Sequence, residues 1–332
     1  MIDETEVWDW TKLLAYLTCD TKGKYGFEDH LVPKEPAEAL AFGIGIHKMV
    51  EVWTHESLFN KVEIEAGLAP THAPLKAAQA AFLSVWEKEL PLELREKLEF
   101  EGNRRSYANA CRLFEAYTRK FPIEMFDKIV ATEVPFTLYL GDTPKGYRIS
   151  WSGILDRVVL WQGGYYYVDI KTSSYPCDTK FFNKFRFNGQ MLGYAWAGRE
   201  LGYGNFNGIM IHGIEVKIPQ VGIKLKKDGA PYAAQGRQAE ELIQADIIPI
   251  HEAHIEEWKW NVLDKIDTIC QDRETAKVTG RRQLNMGDAC NNFNGCQFRP
   301  ICYSEPSLRQ QIKEEQYKVR KWNPLNRDKE RE

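Results

Sequence analysis

No stretch of this sequence approaches the roughly 20 consecutive apolar residues that a membrane-crossing helix needs, because charged residues interrupt the longest apolar runs. The opening segment, MIDETEVWDW, is acidic and lacks the basic-then-apolar layout of a secretory leader, so a cytoplasmic setting is expected. The motif G-x-x-x-x-G-K-[ST], whose loop cradles nucleotide phosphates, is also missing, so no ATP-driven motor is expected within the chain. There is no internal repeat and no low-complexity stretch. Nor is there an excess of positive charge: 44 Lys and Arg against 47 Asp and Glu leave a formal net charge of −3. That argues against coating nucleic acid through bulk positive charge. It does not exclude a site built of carboxylates whose charge bound cations offset.

What is present is material for a sizeable core. The 332 residues are 43% hydrophobic and 12% aromatic, enough for one large globular domain or two modest ones. Up to about residue 125 the chain reads as helices, with apolar residues at helical spacing in Ala37–Trp53, Lys76–Trp86 and Asn103–Tyr117. Ile129–Leu140, Arg148–Trp161 and Tyr165–Thr172 are rich in β-branched and aromatic residues and read as strands. Gly163–Gly164 between the last two marks a tight hairpin turn. Thr179–Leu201 reads as a helix, Asn207–Val216 as a strand and Lys227–Asp228–Gly229 as a turn. A long helix is expected over about Gly236–Arg273, and a Cys-containing coil with a charged tail from about Leu284. The alternation points to one α/β core wrapped by helical additions.

The segment YYYVDIKT, Tyr165–Thr172, carries the most distinctive chemistry. In a strand Asp169 and Lys171 share a face while Ile170 points to the other. An isolated D-x-K is also the pattern of a structural ion pair at a strand end. The second carboxylate, Asp156 in WSGILDRV, shifts the balance, because it lies on the preceding strand across the glycine turn. A hairpin with a small bulge, eased by a bend at Gly153, would bring Asp156 and Asp169 together. Two converging acids repel unless a cation sits between them. Hard oxygen ligands suit Mg²⁺ or Mn²⁺. In that reading Asp169 holds the cation and Lys171 polarises water for attack on a phosphodiester. Lys171, Lys180, Lys184 and Arg186 fall within sixteen residues containing one acid, Asp178, which makes a phosphate-facing surface or an ordinary solvated helix face.

G-x-x-D-R-V, a glycine turn and V-D-I-K-T-S together resemble the core of RecB-type members of the PD-(D/E)XK nuclease superfamily, over roughly residues 10–305. The resemblance implies a restriction-endonuclease-like α/β core, a mixed central sheet flanked by helices, with helical N- and C-terminal additions. Within it, Gly43–His47 followed by Glu51 resembles the upstream helix whose histidine, here His47, supplies a metal ligand. Glu133 in ATEVPFTL resembles the acid of the first core strand. The Ile170 backbone carbonyl would join His47, Asp156 and Asp169 around the cation. Gln190 and Tyr194 resemble the Q-x-x-x-Y that lines the site, and Lys184 and Arg186 would add DNA contacts.

Of seven cysteines, Cys111, Cys177 and Cys270 are scattered, whereas Cys290, Cys296 and Cys302 crowd near the C-terminus. Together with Cys19 in LTCDTKGKYGF they resemble the iron–sulfur clasp of some RecB-type nucleases, implying a [4Fe–4S] cluster. The even x5 spacing departs from the family's closer pair. Zinc is the rival metal, although C-x2–4-C pairs are absent and no histidine lies between Leu284 and Pro306.

The expected organisation is thus a helical region 1–125 carrying Cys19 and His47, a nuclease core 126–275, and a Cys-rich segment and tail 276–332. The implied activity is Mg²⁺- or Mn²⁺-dependent deoxyribonuclease, an exonuclease acting on DNA ends in recombination, repair or phage DNA processing. A single-strand-annealing protein or a helicase would be its partner. A CRISPR-adaptation-type trimming nuclease, a catalytically silent DNA-binding scaffold and an RNA-directed nuclease are the alternatives.

Overall fold

The computed structural model describes residues 5–204, 206–219, 227, 236–285, 287–291 and 295–325. Of the expected turn at Lys227–Gly229, Asp228 and Gly229 lie outside the described residues.

The chain opens with a short strand, β1 (Glu6–Trp8), then α1 (Trp10–Thr18) and α2 (Asp20–Gly23). Asp9 fixes the start of α1, its Oδ1 accepting from the Lys12 backbone N–H at 2.7 Å. Strand β2 (Leu31–Pro33) precedes the helices α3 (Glu38–Glu65), α4 (Pro74–Glu89), α5 (Leu92–Phe100) and α6 (Tyr107–Lys120). Three long strands follow, β3 (Lys128–Asp142), β4 (Arg148–Trp161) and β5 (Gly164–Ser173). Helices α7 (Thr179–Asn183) and α8 (Gly189–Glu200) carry the chain to β6 (Gly208–Glu215). The last part comprises β7 (Ile243–Pro249), the long α9 (Glu252–Thr279), α10 (Arg299–Tyr303), α11 (Arg309–Gln316) and β8 (Tyr317–Val319).

Six strands form one mixed sheet in the order β1, β4, β5, β6, β7, with β3 also paired to β4. β3 runs antiparallel along β4 for nearly its whole length, from Lys128↔Leu160 to Asp142↔Arg148. The opposite edge of β4 is shared. β1 pairs parallel with it from Ile149 to Trp151, and β5 pairs antiparallel from Arg157 to Trp161. Between these partners, Ser152–Asp156 faces a fork in the sheet. The candidate site opens at that fork.

Both faces of the sheet are covered, which is why β6 is buried at every position and shows no clean polar alternation. On one face Trp8, Trp151, Tyr167, Trp196 and Trp258 pack with α1, α8 and α9. On the other Phe42, Trp53, Phe82, Phe114 and Ile170 pack with α3, α4 and α6. A separate small core of Tyr25, Leu31, Phe298, Ile301 and Tyr317 sits where β2 pairs with β8, joining the two ends of the described chain.

The expected helix over Gly236–Arg273 is corrected. Ile243–Pro249 is a strand paired antiparallel with β6, and the helix begins only at Glu252. Ile243, Ile247 and Ile248 favour an extended chain, and Pro249 removes a backbone donor, which an edge strand tolerates. The expected helix Thr179–Leu201 is also broken. Phe187 adopts a left-handed backbone (φ 57°), and Asn188 restarts the helix by accepting from the Gln190 and Met191 backbone N–H groups.

Candidate active site

The hairpin between β4 and β5 turns at Gln162–Gly163, both with positive φ (49° and 75°), as a two-residue turn of this hand requires. The turn thus lies one residue before the expected Gly163–Gly164. The pairing runs without a shift from Trp161↔Gly164 to Arg157↔Val168, and Asp156 and Asp169 are the next residues on the two strands, bridged by the Tyr167 hydroxyl. The bulge expected from the sequence is therefore unnecessary.

Asp156 and Asp169 are 5% and 2% exposed. Lys171 Nζ lies 3.1 Å from Asp169 Oδ1, to which it donates, and 3.0 Å from Oδ2, with which it has no hydrogen-bond geometry. Burial lifts the Asp169 carboxyl above the usual carboxylate range, the Lys171 ammonium pulls it back, and the Asp156 charge lifts it again. Tyr167, which the sequence reading passed over, ties the two strands together where backbone pairing stops. Its hydroxyl accepts from the Asp156 N–H and donates to Asp169 Oδ1, both at 3.3 Å. Burial and the two aspartates hold that hydroxyl's proton well above the usual range. Its position two residues before Asp169, on the same face, was the available signal.

α3 brings His47 to the opposite wall, with Nδ1 3.3 Å from Asp156 Oδ2. The glycines of GIGIH make this approach possible. A Cβ on Gly45 would stand 2.5 Å from the Phe82 ring, and one on Gly43 would touch Thr172 of β5 at 3.4 Å. Lys48 and Glu51 of the same helix also line the cavity, joined Nζ to carboxylate at 2.9 Å. Lys48 is a second residue that sequence reasoning missed. Glu133 lines the cavity from β3 with a left-handed backbone (φ 46°) in mid-strand, a conformation costing roughly 1–2 kcal/mol in a residue with a Cβ. Strain of this kind gathers at functional sites.

From α8, Gln190 Oε1 accepts from Lys171 Nζ at 3.2 Å and Gln190 Nε2 donates to the Tyr194 hydroxyl at 3.1 Å. The structure therefore brings His47, Glu133, Asp156, Asp169, Lys171, Gln190 and Tyr194 around one cavity of about 410 Å³. Ile170 borders it too, and because that side chain packs into the opposite core, its backbone is what faces the cavity. Lys184 and Arg186 are exposed and do not line it.

Among the described residues, no three His, Cys, Asp or Glu side chains are gathered closely enough to hold a metal ion. The donor chemistry nonetheless fits a hard divalent cation. Carboxylate oxygens and an imidazole converge here, and Asp169 Oδ2 and His47 Nδ1 are buried without a hydrogen bond.

Cys19, Cys290, Cys296 and Cys302 line a second cavity, of about 310 Å³. Asn285 links two of them: its backbone N–H lies 3.5 Å from Cys19 Sγ, and its carbonyl accepts from Cys290 Sγ at 3.6 Å. Burial, and then the neighbouring Cys296, Cys19 and Cys290, push the Cys302 thiol up to about 11. Cys177 and Cys270 are buried elsewhere and do not line this cavity, nor does Cys111.

A mixed sheet thus carries an Asp–Asp–Lys cluster beside the fork along β4. The sequence matches the PD-(D/E)XK nuclease superfamily over residues 10–303, and the chain belongs to that superfamily. The α/β architecture with helices on both faces is the one this family implies. No curated protein matches the sequence. One solved structure, described as "Crystal structure of SSO0001", is 14% identical and aligns over 77% of this chain and 84% of that one, with a TM-score of 0.25. That likeness is too slight to bear on fold or function.

Proposed function

We propose that the chain is a Mg²⁺- or Mn²⁺-dependent deoxyribonuclease, and specifically an exonuclease acting on DNA ends. The observation that carries this reading is that Asp156 and Asp169, bridged by the Tyr167 hydroxyl, line one cavity with Lys171 paired to Asp169. Asp156, Asp169, His47 and the Ile170 carbonyl would hold the cation, which when bound polarises the phosphoryl oxygen and acidifies water. Lys171 orients the attacking water and offsets charge that develops on the phosphate. Glu133 holds a further water or cation ligand, and Gln190 fixes the Lys171 ammonium through its 3.2 Å contact. A catalytically silent scaffold is disfavoured because the two aspartates and the lysine are all present and line one cavity.

The test is incubation with Mn²⁺ of an end-labelled linear DNA beside a closed circle of the same sequence. Loss of the linear form alone is expected. Cutting of the circle would make the enzyme an endonuclease, and no cutting of either would remove the nuclease reading.

We further propose that Cys19, Cys290, Cys296 and Cys302 hold a [4Fe–4S] cluster, with zinc as the rival occupant. Their convergence on one cavity from both ends of the chain supports a shared metal group. Protein purified without oxygen should be brown and contain iron in excess of zinc. One zinc per chain and no colour would assign the cavity to zinc and leave the nuclease reading untouched.

A further inference from the structure

The fork in the sheet opens a second depression beside the catalytic cavity. Ser152, Gly153 and Ile154 form its floor where β4 has neither β1 nor β5 alongside, and Trp10 and Trp322 stand among its walls. Its volume is about 270 Å³. Gln190 and Tyr194 belong to both cavities, so the hydrogen-bonded row Lys171–Gln190–Tyr194 is the partition between them. A chain lying across that partition would set adjoining groups on its two sides.

The chemistry of the two sides differs. Lys171 stands on the catalytic side, whereas the lining of the second depression has the Asp9 carboxylate and neither Lys nor Arg. That lining gives a phosphate no direct Lys or Arg partner, whereas it suits a flat uncharged group with hydrogen-bonding edges. Both indoles are held in place. The α8 N-terminus lies so close to Trp10 that a Cβ on Gly189 would meet its ring at 2.0 Å. Trp322 packs edge-on against Phe27 with centroids 5.5 Å apart, and Lys12 Nζ stands over one face of its ring at 5.5 Å, which leaves the other for a base. Indole faces stack any base, and a base still paired in a duplex is not free to enter.

We propose that this depression takes one unpaired nucleobase of a single-stranded DNA end, stacked on Trp10 and Trp322, while the adjoining phosphate sits beside Lys171. The proposal rests on the nuclease reading. It gives the enzyme a preference for frayed or single-stranded termini, because only these supply a free base next to the scissile phosphate.

Binding of a short fluorescent single-stranded oligonucleotide, measured in chelator so that nothing is cut, tests it. Trp322→Ala should lose roughly tenfold in affinity for the oligonucleotide, Trp322→Phe should recover most of it, and affinity for a blunt hairpin duplex should not change. With the unaltered protein, moving a single abasic position along the oligonucleotide should weaken binding by a similar factor at one place near the end. Equal affinity of Trp322→Ala for the single strand, or an abasic scan with no preferred position, would overturn the proposal. Cleavage by the wild-type enzyme, measured in parallel with Mn²⁺, separates the two readings. Its absence would remove the nuclease assignment, while the binding comparison alone still decides whether a base is held here.

Discussion

At the scale of single residues, burial acts in opposite directions on the two faces of the sheet. On the α8 face it raises Asp169, and the cost of a second buried carboxylate nearby is what a bound cation would relieve. His47→Ala should therefore weaken Mn²⁺ binding more than it lowers the maximal rate, and raising Mn²⁺ should restore much of the activity. A variant identical to wild type at limiting Mn²⁺ would return His47 to a packing role. On the α6 face burial depresses His212 to about 3 from 6.5, with the nearby Arg157 charge adding to it. The ring stacks on Phe121 at 3.9 Å and its Nδ1 lies 3.0 Å from the Tyr117 hydroxyl. The folded state resists a proton that the unfolded chain accepts, so stability is full above pH 6.5 and falls as pH drops towards 3. Between pH 7 and 5 this one residue should cost about 2 kcal/mol. Denaturant unfolding of His212→Gln should show a correspondingly flatter pH dependence over that range, and parallel curves for variant and wild type would contradict it.

At the scale of elements, α3 is shaped by what it must approach. A glycine inside a helix normally gains roughly 0.5–1 kcal/mol on replacement by alanine. At Gly45 the added Cβ would meet the ring of Phe82, which is fully buried and cannot swing away. Gly45→Ala should instead destabilise by about 1–3 kcal/mol, and a raised melting temperature would show that α3 and α4 can separate without loss. Strands β4 and β5 were legible in the sequence because their information is local: the alternation of Asp169 and Lys171 about Ile170 fixes a shared face whatever surrounds it. Asp156 was legible too, although the turn was set one residue late, because counting from a glycine pair cannot show which of the two closes the hairpin. β7 was not legible. It is a short edge strand directly before a long helix, and its pairing with β6 is a tertiary fact. The part played by Tyr167 depends on the fork in β4, which β1 creates from far away in sequence. Lys184 and Arg186 lie between the end of α7 and the start of α8, a break that a helical pattern in the sequence does not show.

At the scale of the whole molecule, the ends of the described chain meet. β2 pairs with β8, Arg282 bridges to Asp20 and Glu28, and Thr21 Oγ1 donates to the Gln283 carbonyl at 2.8 Å. A cluster joining Cys19 to Cys290, Cys296 and Cys302 would close a loop of about 270 residues, worth up to ~5–6 kcal/mol on the chain-entropy model. On that model the whole effect comes from the unfolded chain, whose loop the cluster would keep closed after β2 and β8 separate. Cys296→Ser should lose the brown colour and lower the melting temperature, whereas Cys111→Ser should keep its iron. Retention of full iron by Cys296→Ser would take that residue out of the ligand set. The proposed reaction depends on Lys171, paired with Asp169, and the single-turnover cleavage rate of Lys171→Ala at saturating Mn²⁺ tests this most directly. The rate should fall by a factor of ~10² or more, with Mn²⁺ binding and melting temperature close to wild type. A Lys171→Ala enzyme that cuts linear DNA at the wild-type rate would contradict the account.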